Sequence, residues 1–150
     1  IAWYPSKIQK GVINRQMAHI TDIMPTLVDI AGAKYPNEYK GKKITPLPGV
    51  SLMPLFEGKK MQTRDTLCWE HEGNRAVRCG KWKLVSRYDY MNEIELPWEL
   101  YDMENDRSEL NNLAESEGEK VENMQTVYLK WASGVGVYSH KALQRIRKER

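Results

Sequence analysis

Residues 66–87, TLCWEHEGNRAVRCGKWKLVSR, decide the fold, because apolar and polar side chains alternate there on either side of two turn signals. Such alternation is typical of strands with one buried face. Gly73-Asn74 predicts the first hairpin turn, and Gly80 marks the second. Residues 98–102, WELYD, supply a plausible fourth strand. The stretch therefore predicts an antiparallel sheet of about four strands.

A helix over residues 118–133 is expected to cover one face of this sheet. Its apolar side chains recur at helical spacing and are Val121, Met124, Val127, Tyr128 and Trp131. An antiparallel sheet with one apolar face needs such a partner. The large apolar residues Trp82, Leu84, Trp98 and Trp131 are then expected in the core rather than as platforms for a sugar. Residues 61–150 are thus predicted to form a small α+β subdomain.

Two short helices are predicted upstream of the sheet. In residues 19–33, HITDIMPTLVDIAGA, apolar residues have helical spacing, Thr21 or Asp22 can cap the start, and Gly32 can end the helix. Residues 51–58, SLMPLFEG, repeat the pattern with Pro in the first turn. Between them, residues 35–49 are rich in Pro, Gly and Lys, which indicates an exposed loop.

Composition bounds the class of protein. The chain has 150 residues, of which 41% are hydrophobic and 29% charged, as in an ordinary globular domain. The net charge of +3 is mild, and the basic residues 141–150 are interpreted as a solvated helix end, so no nucleic-acid partner is expected. No apolar run approaches the ~20 residues that span a bilayer, so no membrane partner is expected either.

Cys68 and Cys79 have neither zinc-finger spacing nor the number needed for a disulfide scaffold. A hairpin places them close enough that a disulfide is permitted, and two buried free thiols are favoured. His19 and Asp22 lie at a helix entrance, where capping and a core hydrogen bond are favoured over a metal site.

Five blocks of sequence, in this order, carry a resemblance to a known family. They are HITDIMPTL with DIAG, LPGVSLMPLFEG, EHEGNRAVRCGKWKLV, WELYD and ENDRSELNNLA. In order and spacing they resemble the C-terminal part of the arylsulfatases, the formylglycine-dependent sulfatase family. Residues 1–10, with Trp-Tyr-Pro, resemble the last strand of the large domain of that family and the loop that follows it. The resemblance reaches from residue 1 to about residue 135.

The resemblance implies a fold, an activity and cofactors for a larger parent protein. Residues 1–60 would be the end of an alkaline-phosphatase-like α/β domain, with its last strand, a connecting loop and short helices. The parent would hydrolyse aryl or sugar sulfate esters with a formylglycine nucleophile and a calcium ion. A hard cation held by oxygen ligands suits the charge that develops on sulfuryl oxygens. The compartment stays open among the periplasm, the extracellular space and the lysosome.

The sequence indicates that none of that catalytic machinery lies in this chain. Formylglycine forms at a Cys or Ser within C/S-x-P-x-R, and no Cys or Ser here has that continuation. The acidic and amide metal ligands of the family have no counterpart either. We therefore predict no catalytic residue and no metal ligand in this chain, which is expected to be inert by itself.

His71, Asn74 and Arg75 are the candidate substrate-binding residues. Alternation places His71 beside Trp69, on the face opposite Val77, so it would face the large domain if the final helix covers the Val77 side. Asn74 and Arg75 at the hairpin tip could bind a sugar hydroxyl or a sulfate. The structural alternatives are an exposed or interdomain histidine, turn chemistry for Asn74, and an ion pair between Arg75 and Glu72.

Two classes of function stay open at this point. In the first, the chain is a structural part of a sulfatase, its partners are the rest of that domain and a sulfated small molecule or glycan, and it helps to line the substrate pocket. In the second, it is a noncatalytic module that binds an anionic glycan or a protein. A related phosphoester or phosphonate hydrolase is a further alternative for the parent, because the nucleophile that would discriminate them is absent here.

Overall fold

The computed structural model describes residues 1–61 and 64–149. The chain divides into two compact units, Ile1–Arg64 and Asp65–Arg150. None of the helices in the described part of the chain is long and apolar enough to cross a membrane.

The first unit holds both predicted helices and one small hairpin. Its elements are a 3-10 helix Ile20–Asp22, α1 Ile23–Ile30, β1 Glu38–Tyr39, β2 Lys42–Lys43 and α2 Met53–Phe56. The predicted end of the first helix is confirmed, because Gly32 adopts a φ of +59° beyond α1. The expected cap at Thr21 or Asp22 is corrected: His19 accepts from the Thr21 backbone N–H. The Asp22 carboxylate accepts in return from the His19 N–H, which makes a capping box.

Residues 35–49 are not a plain loop. They are largely exposed, as expected, but β1 and β2 pair in register Glu38 with Lys43 and Tyr39 with Lys42. Lys40 and Gly41 form the turn with φ of +50° and +76°. Two consecutive positive φ values match the right-handed twist of a tight hairpin, which explains the strands.

Residues 1–10 contain turns and no strand. A strand exists through ladder hydrogen bonds to a neighbour, and these residues have none within the described chain. Ile1 and Trp3 are largely exposed. The assignment of this segment to the last strand of a larger sheet stays a prediction.

The second unit confirms the predicted antiparallel sheet. Its strands are β3 Thr66–His71, β4 Asn74–Cys79, β5 Trp82–Ser86 and β8 Glu99–Asp102, in the spatial order β3-β4-β5-β8. One face carries Val77, Leu84 and Leu100, all completely buried. Successive residues point to opposite faces, so the same register assigns every other side chain of the sheet.

The first hairpin turn lies one residue earlier than predicted. Glu72 and Gly73, with φ of +52° and +92°, form the turn, and Asn74 already pairs with His71 in the ladder. A side chain at Gly73 would be strained, because φ is positive there and an added Cβ would lie 2.9 Å from the ring of Tyr88. Packing against that ring selects the register.

The helix predicted over residues 118–133 is α3, Gly118–Val135, and it covers the Val77 face of the sheet. Met124, Tyr128 and Ala132 are buried against the sheet, with Val121 and Trp131 beside them. Val127 was expected on this stripe, but it is 36% exposed, because its position on the helix turns it to the edge. Gly136 ends α3 in the left-handed conformation with a φ of +74°.

Two elements of the second unit were not expected from the sequence. A two-stranded hairpin is formed by β6 Tyr88–Asp89 and β7 Ile94–Glu95, and a last helix, α4, spans His140–Lys148. Strands of two residues are too short to give an alternation signal. The basic residues between 141 and 148, interpreted as a solvated helix end, belong to α4. The start of α4 is capped by Ser139 Oγ, which accepts from the Ala142 N–H. Arg150 lies outside the described residues.

Candidate functional site

His71 ends strand β3 at the tip of the sheet and is exposed. It shares a face with Trp69 and Ala76, which pair with each other across the hairpin. Helix α3 covers the opposite face, through Val77. The predicted side of His71 is therefore confirmed: it lies on the face of the sheet that α3 leaves open.

The Asn74 side chain holds the hairpin tip and the following loop together. Its amide nitrogen donates to the Tyr90 hydroxyl at 2.7 Å and to the His71 carbonyl at 3.1 Å. Its carbonyl oxygen accepts from the Tyr88 N–H at 3.1 Å. The Tyr90 hydroxyl in turn donates to the Glu72 carbonyl at 3.1 Å. Asn74 thus has the turn chemistry considered for it, extended to a loop that is distant in sequence.

Arg75 lies on the other face of β4, toward α3. One guanidinium nitrogen contacts Glu95 at 2.7 Å and the other donates to Ser86 Oγ at 2.9 Å. The guanidinium carbon also lies 4.5 Å from the centre of the Trp98 ring. Its side chain is only 14% exposed. The two terminal guanidinium nitrogens and the aromatic face thus hold Arg75 in place, whereas its Nε is buried without a hydrogen-bond partner.

The ion pair considered between Arg75 and Glu72 is absent, since Arg75 pairs with Glu95. Glu72 lies in the turn, beyond the ladder, and its carboxylate contacts Arg147 of α4 at 3.7 Å. The cross-strand neighbour of Arg75 is Glu70. The three candidate residues lie at one end of the same hairpin, but only His71 and Asn74 pair directly, and Arg75 points to the opposite face.

Tyr90 and Glu95 are the residues that sequence reasoning missed near this tip. Both belong to residues 88–95, which contact the hairpin from a distance of about fifteen to twenty positions in sequence, as the Tyr90–Asn74 and Glu95–Arg75 contacts show. In the sequence, the only signal for these contacts is the pair of aromatic residues, Tyr88 and Tyr90, that directly follows the predicted strands of residues 66–87.

The helix entrance at His19 and Asp22 is structural. Asp22 is completely buried, accepts from the backbone N–H groups of His19 and Val50, and pairs with Arg64. Burial, and then the neighbouring Arg64 charge, lower the pKa of His19, which favours its neutral form. Among residues 1–61 and 64–149, no three His, Cys, Asp or Glu side chains lie together in a way that could hold a metal ion. The residues present therefore do not fit a calcium site.

Cys68 and Cys79 are free thiols, as favoured, but both are half-buried rather than buried. They are diagonal rather than opposite, because Cys68 pairs with Val77 and Cys79 pairs with Thr66. Both lie against the core under α3. Burial, and then the neighbouring Cys79, raise the pKa of the Cys68 thiol to about 11. Such a thiol is a poor nucleophile at neutral pH.

Comparison with protein families identifies one that matches most of the chain. The family described as "N-sulphoglucosamine sulphohydrolase, C-terminal" matches residues 1–130. Among curated proteins, an uncharacterized sulfatase of Schizosaccharomyces pombe is 29% identical over 137 residues, which is 89% of this chain and 24% of that protein. An N-acetylglucosamine-6-O-sulfatase of Bacteroides thetaiotaomicron is 29% identical over 125 residues, or 73% of this chain and 20% of that protein.

A solved structure has the same fold. BT4656, in complex with its substrate D-glucosamine-2-N,6-O-disulfate, superposes with a TM-score of 0.60 and 23% identity, over 87% of this chain and 27% of that one. The chain thus spans between a fifth and about a quarter of the length of the relatives it matches. The expected antiparallel sheet and C-terminal helix are confirmed.

Proposed function

Because this chain belongs to the N-sulphoglucosamine sulphohydrolase C-terminal family, we propose that it serves as the noncatalytic C-terminal part of an enzyme that hydrolyses sulfate esters of sugars. The relatives are sulfatases, that is, sulfuric ester hydrolases. Residues 1–60 would complete the large α/β domain, and residues 61–150 would form the attached subdomain. The formylglycine and the calcium ion would belong to residues outside this chain, because no Cys or Ser here has the C/S-x-P-x-R context.

The exposed apolar face of α1 supports this role. Ile20, just before α1, is 75% exposed, and four α1 side chains are 41% to 56% exposed: Ile23, Met24, Leu27 and Ile30. The opposite side of the same helix is anchored by Thr26, whose hydroxyl donates to the Asp22 carbonyl and accepts from the Leu52 N–H. A helix that is apolar on its exposed side is typical of an element that packs on further protein. We infer that the large domain covers it.

His71 carries the proposal about the substrate. It is exposed at the end of β3 on the face that α3 leaves open, so it is available to a neighbouring active site. An imidazole can donate to a sulfate or hydroxyl oxygen. Asn74 would support this side of the pocket by fixing the tip, because its side chain already bonds Tyr88 and Tyr90. Arg75 lies on the opposite face, so it would act only indirectly, by holding Glu95 of the neighbouring hairpin.

The first test is to read the coding sequence upstream of Ile1. An in-frame C/S-x-P-x-R motif preceded by paired aspartates is expected, and a start codon directly before Ile1 would overturn the proposal. The 150-residue chain alone is expected to release no sulfate from 4-nitrophenyl sulfate or from N-acetylglucosamine 6-sulfate. Turnover by the isolated chain would contradict the noncatalytic role.

The second test uses His71→Ala in the protein that carries that motif. Loss of a hydrogen bond to bound substrate is expected to raise KM for the sulfated sugar by about tenfold with kcat largely kept. Lys130→Ala is the control, since Lys130 is exposed on α3, which covers the face of the sheet opposite to His71. Equal kinetics for the two variants would remove His71 from the pocket.

A further inference from the structure

A cavity of about 330 Å³ lies between the β6–β7 hairpin and the first turn of α4. It is lined by Tyr88, Glu93, Ile94, Glu95, Ser139, His140 and Lys141. His71 and the other proposed substrate-binding residues do not line it. The volume is at the lower end of the range for pockets that hold small molecules, enough for one or two sugar rings.

Two buried polar atoms at this cavity have no hydrogen-bond partner. They are the hydroxyl oxygen of Tyr88, a residue only 6% exposed, and Nδ1 of His140. The two rings stack with their centres 4.4 Å apart, and Gly73 packs on the ring of Tyr88. Burying an unsatisfied polar group costs free energy, so native proteins rarely leave one without a partner. Here both atoms belong to residues that line a cavity.

The proton positions make both atoms hydrogen-bond donors. The Gln144 side-chain nitrogen lies 3.2 Å from Nε2 of His140, and an amide nitrogen can only donate, so Nε2 accepts. With Nε2 as the acceptor, the ring hydrogen lies on Nδ1. Burial, and then the carboxylates of Glu93 and Glu95, raise the pKa of Tyr88, which keeps its hydroxyl protonated.

The charges around the cavity are close to balanced. Glu93 and Glu95 supply carboxylate acceptors, and Lys141 supplies an ammonium group. Glu95 is already paired with Arg75 at 2.7 Å, which offsets its charge. A ligand with a full charge of either sign would meet an opposing group, whereas a neutral ligand that both accepts and donates hydrogen bonds would not.

We propose that this cavity binds one unit of a neutral, polyhydroxylated molecule, that is, a saccharide ring. The Tyr88 hydroxyl and His140 Nδ1 donate to ring or hydroxyl oxygens, and Glu93 accepts from a hydroxyl. This goes beyond the proposed function, because His71, Asn74 and Arg75 do not line the cavity, although Asn74 bonds Tyr88 and Arg75 pairs with Glu95. In an enzyme that acts on a glycan, it would hold an unsulfated unit of the same or another chain.

The test is a titration of the full chain with D-glucose, followed by two-dimensional amide NMR. A Kd in the millimolar range is expected, and a Kd of 1 mM corresponds to a binding free energy of about −4 kcal/mol. The chemical-shift changes should be concentrated at residues 88–95 and 139–141. Glucose 6-sulfate and glucosamine are the charged probes and are expected to bind more weakly. Equal or tighter binding of either charged probe would overturn the preference for a neutral ligand.

Tyr88→Phe keeps the ring that packs on Gly73 and removes only the hydroxyl. It is expected to weaken glucose binding about fivefold. Tyr128→Phe is the matched control, because Tyr128 is 2% exposed and its hydroxyl is also buried and without a partner, but in the core under α3. That variant is expected to bind glucose like the unmodified chain.

Glu93→Gln gives a second variant at an exposed position and is also expected to weaken binding. Absence of any saturable shift at residues 88–95, or an equal effect of Tyr88→Phe and Tyr128→Phe, would overturn the proposal. His71→Ala is expected to leave glucose binding unchanged. Failure of the sulfatase proposal can therefore be told apart from failure of the saccharide proposal. The first would be seen in sulfate-release assays, and the second in this glucose titration.

Discussion

The side-chain amide of Asn74 donates a 2.7 Å hydrogen bond to the hydroxyl of Tyr90, which donates its own hydrogen to the Glu72 carbonyl. The hydroxyl thus bridges both sides of the turn at the end of the sheet. The conformation of the hairpin tip that presents His71 depends on a residue outside the hairpin.

Tyr90→Phe removes both of these hydrogen bonds and keeps the ring. Tyr90 is 50% exposed, so the free energy of unfolding should fall by only about 1 kcal/mol. Urea unfolding measures this change, and amide hydrogen exchange at Gly73 should become faster. Tyr138→Phe, at a residue 59% exposed, is the control. Equal stability of the two variants would show that the Tyr90 hydroxyl does not hold the tip.

Gly73→Ala and Gly134→Ala should change stability in opposite directions. At Gly73, φ is +92° and an added Cβ would lie 2.9 Å from the Tyr88 ring, so a loss of about 1–3 kcal/mol is expected. At Gly134, inside α3, nothing lies within 4 Å of the added Cβ, so Ala should stabilise by about 0.5 kcal/mol. Thermal unfolding of both variants checks the signs. A neutral Gly73→Ala would mean that the turn can change type.

Acid should destabilise the second unit partly through Asp102. The Lys81 hydrogen bond at 2.7 Å, aided by bonds from the Glu104 N–H and Asn105, holds the pKa of Asp102 at about 2, below its ordinary 3.8. Since the folded pKa is the lower one, this stabilisation is present above about pH 4 and is lost as the pH falls toward 2.

Asp102→Asn should therefore lower the urea midpoint at pH 6 and flatten its pH dependence between about 4 and 2. Glu122→Gln, which removes an exposed carboxylate of α3, is the control for charge alone. An unchanged acid slope in Asp102→Asn would assign the effect to other carboxylates.

The Cys68 thiol should react slowly. Its pKa of about 11 lies two units above the ordinary 9.0, so its thiolate fraction at pH 8 is roughly a hundredfold smaller. In the Cys79→Ala variant, which leaves Cys68 as the single cysteine, iodoacetamide labelling should be slow in the folded chain and normal in urea. Labelling at the same rate in both conditions would contradict burial of this thiol.

Local pattern was enough for the centre of the fold. Alternation in residues 66–87 predicted three strands and, to within one residue, two turns. Helical spacing predicted α3, which the structure shows on the Val77 face. Alternation also put His71 and Trp69 on the other face, since alternate residues of a strand must point to opposite sides. These inferences needed only neighbours in sequence, which is why they held.

Contacts between residues that are distant in sequence could not be predicted from local pattern. Arg75 contacts Glu95 and Trp98 rather than Glu72, which is nearer in sequence, because strand geometry turns the Arg75 side chain toward α3. The first hairpin turn forms at Glu72 and Gly73 because Gly73 packs on the ring of Tyr88. The sequence by itself determined the strands, α3 and the family resemblance, through local period and ordered motifs. Only the tertiary structure decided the partners of Asn74 and Arg75 and the cavity at Tyr88, because packing brings those groups together from separate segments.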